Sequence, residues 1–234
     1  MMMNRLRMMG ITVVALAALL SAPTWAAPTY SGSLASDYYS GNSMGADGLL
    51  RGTAGGWVDQ DQPLVLRWEV TNEGSFWHYE YTFNELGLQG GLSHMILEVS
   101  HTFTESDVVN SSDPFEGPTT YSQGPSNPGM PASIWGIKFD TGGDSGPAVV
   151  SFDSTRDPMW GDFYAKNGTW GGAAWNAGLG FSDPTAAPSD GSIRSHLLVP
   201  DTCTTPVIPS PAAILLSGMG TVLVGWLRRK GVIA

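Results

Sequence analysis

Apolar and polar residues alternate along the middle of the chain with a period of two, which is typical of β-strands that bury one face. Every second residue from Leu64 to Val70 is apolar, while Arg67 and Glu69 fall on the other face. The run from Trp77 to Phe83 repeats the pattern with aromatic rings. Residues 72–75 (Asn-Glu-Gly-Ser) have turn composition, so the two runs are predicted to form a hairpin.

Further short runs extend this pattern, and no stretch keeps the 3.6-residue apolar period of a helix. The clear ones begin at Met95, Trp135 and Ala148, and weaker ones lie within residues 29–34, 49–53, 161–166, 173–180 and 195–199. About ten short strands divided by Gly, Pro, Asn and Asp predict an all-β fold. We expect an antiparallel β-sandwich, jelly-roll-like in type.

The composition also indicates a loop-rich β domain, since the chain has 30 glycines and only 14% charged residues. Segment 106–131 is rich in proline and poor in apolar residues, so it is predicted to be one long surface loop between two strands. Trp68, Trp77 and Trp135 fall on the apolar faces of predicted strands and are predicted to be core residues.

Residues 1–26 have the three parts of a secretory signal peptide. Two arginines precede an apolar run at residues 10–20, and small residues around Ala26 supply a cleavage site. The expected partners are therefore the Sec translocon and a signal peptidase. The mature chain is predicted to start near Ala27, and the β domain to span residues 27–201.

A three-part tail at residues 207–234 follows a short polar linker at 202–206. Its parts, in order, are the motif Val207, Ile208, Pro209, Ser210 and Pro211, the uncharged apolar run 212–227, and the basic cluster Arg228, Arg229 and Lys230. As a helix the apolar run would be about 24 Å long. Trp226 and the basic side chains can extend it into a transmembrane span, with the acidic domain outside and the carboxyl end in the cytoplasm.

The order of a Pro-x-Pro start, a short apolar span and a basic end resembles the PEP-CTERM sorting signal of exported proteins in Gram-negative bacteria. Pro209 and Pro211 match the two prolines of that signal, and residues 228–230 match its basic end. Ser210 stands where the family usually has glutamate. The resemblance implies export across the inner membrane and processing by an exosortase, a membrane cysteine protease-transpeptidase, in bacteria that make exopolysaccharide.

The middle of the chain is also similar to a β-rich cargo domain that occurs with such tails. The similarity lies in residues 153–166, 175–178 and 198–201. It implies an architecture and a cellular address but no reaction, because the family has no assigned chemistry.

Charge and cysteine content exclude several classes of function. Five of the 11 basic residues lie in the terminal segments, so six remain in the middle against all 21 acidic residues, a net charge of −15. Such a domain repels nucleic acid and anionic lipid. Cys203 is the single cysteine, which excludes an intrachain disulfide and a cysteine-based zinc site but leaves pairing between chains open. No cofactor is expected.

The candidate catalytic and metal-binding patterns are weak. Residues 143–147 (Gly-Asp-Ser-Gly-Pro) resemble the nucleophile loop of trypsin-like proteases but lack one glycine and a matching histidine context, so a turn is predicted. His94 and His101 are an odd number of residues apart on one predicted strand, so they are expected on opposite, solvent-facing sides. Carboxylates within 59–61 and 140–144 are conceivable calcium ligands, without the spacing of a complete loop.

Two functions follow, and a non-catalytic structural or adhesive role at the cell surface or in the extracellular matrix is preferred. The alternative is binding of exopolysaccharide by Trp57, Trp170 and Trp175, which lie in Gly-rich surroundings. Exposed aromatic rings on a β-sandwich can stack on sugar rings, whereas packing of the same rings over glycines would be purely structural. A hydrolase would need a carboxylate pair or a triad at a defined separation, and the sequence locates neither.

Overall fold

The computed structural model of the protein describes residues 29–36, 49–53, 63–84, 91–144, 147–168 and 172–201. The predicted signal peptide, the linker and the whole tail, with its motif 207–211, apolar run 212–227 and basic cluster 228–230, lie outside these residues. So do Trp57, Trp170 and Cys203. Within the described ranges, no helix has the length and apolar character needed to cross a membrane.

The described chain consists of strands and one short 3-10 helix, Glu105–Asp107. In chain order the strands are β1 Thr29–Ala35, β2 Leu50–Thr53, β3 Val65–Asn72, β4 Trp77–Phe83, β5 Leu92–Glu98, β6 Val108–Val109, β7 Phe115–Tyr121, β8 Ile134–Asp144, β9 Ala148–Ser154, β10 Pro158–Gly161, β11 Phe163–Asn167, β12 Ala173–Asn176 and β13 Leu197–Pro200. Every pair of these strands is antiparallel. The predicted all-β, antiparallel character is confirmed.

Two large sheets share one apolar core. One sheet has the strand order β1-β3-β4-β9-β6 and the other the order β2-β12-β11-β5-β8-β7, while β10 and β13 pair with each other. Phe152 of the first sheet stacks on Phe139 of the second, with ring centroids 4.9 Å apart. Phe83 and Phe163 also meet across the two sheets, at 6.1 Å. This arrangement buries the alternating apolar faces against each other, while the jelly-roll-like connection of the strands stays a prediction.

The predicted hairpin is confirmed in detail. β3 and β4 pair antiparallel, and Asn72 lies opposite Trp77 at the closed end. Gly74 has φ +89° in the turn, a conformation that glycine adopts at low cost, and its N–H donates to the Asn72 side chain at 2.8 Å. Trp68 is buried as predicted, and Trp77 packs against the core while remaining partly exposed. Trp135 of β8 is likewise only partly buried and packs against the same core.

The prediction that segment 106–131 forms one long loop is wrong. β6 extends the five-stranded sheet, and β7 forms an edge of the six-stranded sheet beside β8. Pro118 lies inside β7, where the pairing register shifts between Glu116 and Thr119. An edge strand tolerates a proline because one side of the strand needs no ladder hydrogen bonds. Pro118, one of the prolines that suggested a loop, therefore lies at a sheet edge.

Residues 122–133, which begin within that segment and lead into β8, cover the outer face of the six-stranded sheet. The Tyr164 hydroxyl of β11 donates to the Pro128 carbonyl oxygen at 2.8 Å. Met130 joins a second apolar cluster that includes Ile96 of β5 and Tyr164. As a result β5 is buried on both faces, which a simple alternation of polar and apolar residues does not predict.

Candidate functional site

A buried aspartate, a partly buried aspartate and a buried histidine meet where three parts of the chain converge. We call Asp162, Asp183 and His196 the Asp-Asp-His cluster. Asp162 lies between β10 and β11, Asp183 lies in the segment 177–196 that joins β12 to β13, and His196 directly precedes β13. One oxygen from each aspartate and one imidazole nitrogen lie within 4.8 Å of one another. The cluster thus links the long segment before β13 to the sheet.

The central nitrogen of the cluster has no hydrogen-bond partner. His196 Nε2 is 3.4 Å from Asp162 Oδ1 and 3.6 Å from Asp183 Oδ1, and the His196 side chain is 1% exposed. Both His196 Nε2 and Asp183 Oδ1 are buried without a hydrogen-bond partner. Buried polar atoms in folded proteins are nearly always paired, so these two atoms are exceptions that a shared proton or a bound cation would satisfy.

The local backbone fixes the orientation of His196. Its Nδ1 lies 3.3 Å from the Ile193 carbonyl oxygen, which can only accept a hydrogen bond, so Nδ1 carries the proton and donates. In the neutral ring, Nε2 then presents a lone pair to the two carboxylates. Gly178 makes room for this ring, since a β-carbon there would lie 2.6 Å from His196 Cε1. The preceding Arg194 and Ser195 both have positive φ, a strained conformation that the surrounding structure must offset.

The carboxylate of Asp162 is held from both sides. Asn176 Nδ2 of β12 donates to its Oδ1 at 2.6 Å, and the Gly180 N–H donates to its Oδ2 at 3.3 Å. Asn176 is itself fixed, because its Oδ1 accepts the Phe163 N–H at 2.9 Å. The cluster therefore has an outer layer of hydrogen bonds that sets the direction of its oxygens.

Negative charge is concentrated around the cluster. Glu98, at the end of β5, accepts the Asp162 backbone N–H on Oε2 at 2.9 Å. Burial, and then the charges of Asp183 and Asp162, raise the pKa of Glu98 to about 8. Burial and the Asp162 charge raise the pKa of Asp183 to about 6, against the opposing effect of His196. A site of this kind can hold a proton or a metal cation.

This cluster was not predicted from the sequence. Its three members are far apart in the chain, and no metal-binding motif has their spacing. The available signal was indirect: Asp162 lies inside, and His196 just before, stretches that carry the similarity to the cargo domain.

The three predicted sugar-binding tryptophans are not brought together among the described residues, because Trp57 and Trp170 lie outside them. Trp175 is on β12, partly buried against the second apolar cluster. A β-carbon at Gly129 would lie 3.9 Å from its ring, so the covering segment 122–133 approaches it closely. Trp175 is therefore at least in part a packing residue.

The prediction that His94 faces solvent is wrong, and His101 is not on the strand. His94 is 4% exposed, because residues 122–133 cover its face of β5, and its Nε2 lies 3.1 Å from Asn127 Oδ1. Burial and, next, the Lys138 charge lower the pKa of His94 to about 4. His101 lies beyond the end of β5 and is exposed, with its ring 4.6 Å from that of Trp135.

The remaining sequence candidates gain no support as sites. Ser145, of the protease-like loop, and the carboxylates at 59–61 lie outside the described residues. Asp140, a conceivable calcium ligand, forms an ion pair with Lys138 at 3.1 Å instead.

A shallow depression of about 450 Å³ lies on the five-stranded sheet, away from the strands that form the cluster. Its lining includes the charged side chains of Arg67, Glu69 and Glu80. Trp68 also lines it but is only 2% exposed, so it offers no ring face for stacking on a sugar.

Comparison with known proteins adds little. No family model and no curated protein matched the sequence. Among solved structures the chain is similar to the KRT10-binding region domain of the pneumococcal serine-rich repeat protein PsrP, with 15% identity over 67% of this chain and 93% of that chain, and a TM-score of 0.20. A likeness at that TM-score carries no argument about fold or function.

Proposed function

We propose that this is a non-catalytic protein of the cell surface or extracellular matrix, exported by its leader and delivered by a PEP-CTERM-like tail. The sequence feature that carries the proposal is the combination of a segment at 1–26 with the three parts of a signal peptide and a three-part tail at 207–234, on either side of one acidic domain. A basic cluster directly after an apolar run is the arrangement that keeps a carboxyl end in the cytoplasm.

The described domain supports this assignment. Its strands are antiparallel, its two large sheets share one core, and the outer face of the six-stranded sheet is covered by the chain itself. Such a domain is stabilised by extensive burial of apolar side chains. That suits a protein that works outside the cell without a disulfide.

Processing of the tail can be tested in a Gram-negative host that has an exosortase and in the same host without it. Intact-mass measurement of the purified protein reports both ends of the chain. We expect a mature start near Ala27 in both hosts, and removal of residues after the 207–211 motif only where the exosortase is present. Replacing Pro209 and Pro211 with alanine should abolish the second cleavage and leave the first unchanged. A chain that starts at Met1, or a tail that remains intact beside an active exosortase, would contradict the proposal.

Exopolysaccharide binding is a second candidate. The observation in its favour is that Trp175 keeps part of its ring exposed while the rest is fixed by packing. A rigid aromatic ring of this kind loses little conformational freedom when a ligand stacks on it.

A further inference from the structure

We propose that Asp162, Asp183 and His196 bind a divalent transition-metal ion of the zinc class, which fastens the segment 177–196 to the six-stranded sheet. Its ligands would be Asp162 from the β10–β11 connection and two residues of the long segment, Asp183 and His196. This inference does not depend on the proposed route of export.

Two of the three distances between the ligand atoms match those expected for such an ion, and all three atoms lie within 4.8 Å of one another. Zinc binds imidazole nitrogen and carboxylate oxygen at about 2.0–2.2 Å in a tetrahedron, which places neighbouring ligand atoms about 3.4 Å apart. The two distances from His196 Nε2 to the aspartate oxygens are 3.4 and 3.6 Å. Three protein ligands leave the fourth tetrahedral position for a water molecule.

The unpartnered atoms provide an independent observation. His196 Nε2 and Asp183 Oδ1 are buried without a hydrogen-bond partner, and His196 is 1% exposed. When the His196 ring is neutral, with its proton on the Nδ1 that faces the Ile193 carbonyl, Nε2 presents a lone pair toward two carboxylates. Lone pair and carboxylates repel one another unless a cation lies between them, and a metal ion would satisfy all three at once.

The outer layer of the cluster also has the form found at metal sites. Ligating histidines commonly donate their other ring N–H to a backbone carbonyl, and ligating carboxylates are themselves hydrogen-bonded. His196 does the former with Ile193, and Asp162 does the latter with Asn176 and Gly180.

The ligand set selects the class of ion. Imidazole suits Zn²⁺ and related transition metals, whereas Ca²⁺ and Mg²⁺ take oxygen ligands in larger number. The competing explanation is a protonated His196 that forms ion pairs with the two aspartates and binds no metal.

The first experiment uses the full-length chain purified in detergent, stripped with a chelator and then titrated with ZnCl₂. We expect one Zn²⁺ bound per chain and a melting temperature that rises by a few degrees in excess zinc. Asp183→Asn should weaken zinc binding by at least about tenfold. Asp190→Asn is the matched control, because Asp190 is an exposed residue of the same segment whose side-chain oxygen accepts the Ser31 N–H, a bond that asparagine can keep.

Further readouts keep the test decisive if a variant folds poorly. Co²⁺ bound in place of zinc should give the visible absorption of a tetrahedral site, and Asp183→Asn should weaken that signal while Asp190→Asn does not. If neither Zn²⁺ nor Co²⁺ binds to the wild-type chain, the cluster is an ion-pair network and the proposal is overturned. Binding of Ca²⁺ without Zn²⁺, or equal zinc affinity of Asp183→Asn and wild type, would overturn it as well.

Discussion

His94 is a titratable residue that the fold buries away from water. The residue is buried under segment 122–133, and Lys138 and Lys166 add positive charge that opposes protonation of the ring. Its contact with Asn127 Oδ1 favours the protonated ring but is outweighed by burial, so the pKa of His94 falls to about 4 from an ordinary 6.5. The folded domain therefore holds a neutral histidine at neutral pH.

This histidine makes folding stability depend on pH. Between pH 6.5 and about 4 the unfolded chain binds a proton at His94 that the folded chain does not, so the free energy of unfolding decreases as the pH falls through this interval. The loss attributable to His94 is up to about 3 kcal/mol. Urea unfolding followed by tryptophan fluorescence at several pH values measures it.

His94→Gln keeps a side-chain amide near Asn127 but cannot titrate, so its stability should depend less on pH in this interval than that of the wild type. The exposed His101→Gln is the control and should retain the wild-type slope. Equal slopes for His94→Gln and the wild type would show that folding does not lower the pKa of His94.

At the scale of elements, Arg156 connects three segments around the β9–β10 turn. Its Nε lies 3.1 Å from Asp107 Oδ1, and its Nη1 lies 3.0 Å from Asp201 Oδ2. Burial tends to raise the pKa of Asp107, but hydrogen bonds from Arg156, Thr104 and Thr155 outweigh it and lower the pKa to about 2. The network therefore ties the short helix before β6 and the end of β13 to the turn.

Arg156→Met should destabilise the domain by about 2 kcal/mol at neutral pH, because it removes the positive charge beside two partly buried aspartates. The loss of stability caused by Arg156→Met should become smaller as the pH falls from about 4 toward 2. In that range Asp107 of the folded wild type begins to bind a proton, so the wild type also loses its ion pair between Arg156 and Asp107. Lys138→Met is the control, because its partners Glu116 and Asp140 are largely exposed and such pairs contribute less than about 1 kcal/mol. Equal losses in the two variants would contradict the argument.

The elements also show how far sequence predicts this fold. β3, β4 and β9 were predictable because each has one apolar face and one polar face. β7 was not, because Pro118 is compatible with a strand only at a sheet edge, and edges are set by tertiary structure. The burial of His94 likewise depends on a covering segment that is distant in sequence. The Asp-Asp-His cluster could not be predicted, because its residues belong to no local motif. They come together only where segment 177–196 packs beside the β10–β11 connection in the folded chain.

At the scale of the whole molecule, charge decides which sugar polymer the domain can approach. The part of the chain between the terminal segments has a net charge of −15. Such a field repels an acidic polysaccharide and leaves a neutral one unaffected, and the repulsion weakens as salt screens it. Recognition by Trp57, Trp170 and Trp175 would therefore favour neutral glycans.

A glycan array with the purified protein tests this expectation. Binding to neutral polymers should change little with salt, and any binding to acidic polymers should strengthen as salt is raised, opposite to the behaviour of a basic protein. Replacing all three tryptophans with alanine should abolish binding, whereas Trp135→Ala, which removes another partly exposed ring of the six-stranded sheet, should not. Because Trp175 and Trp135 both pack against apolar clusters, a melting curve for each variant separates lost recognition from lost folding. Binding by a folded triple variant at wild-type strength would exclude these rings as the sugar-binding surface.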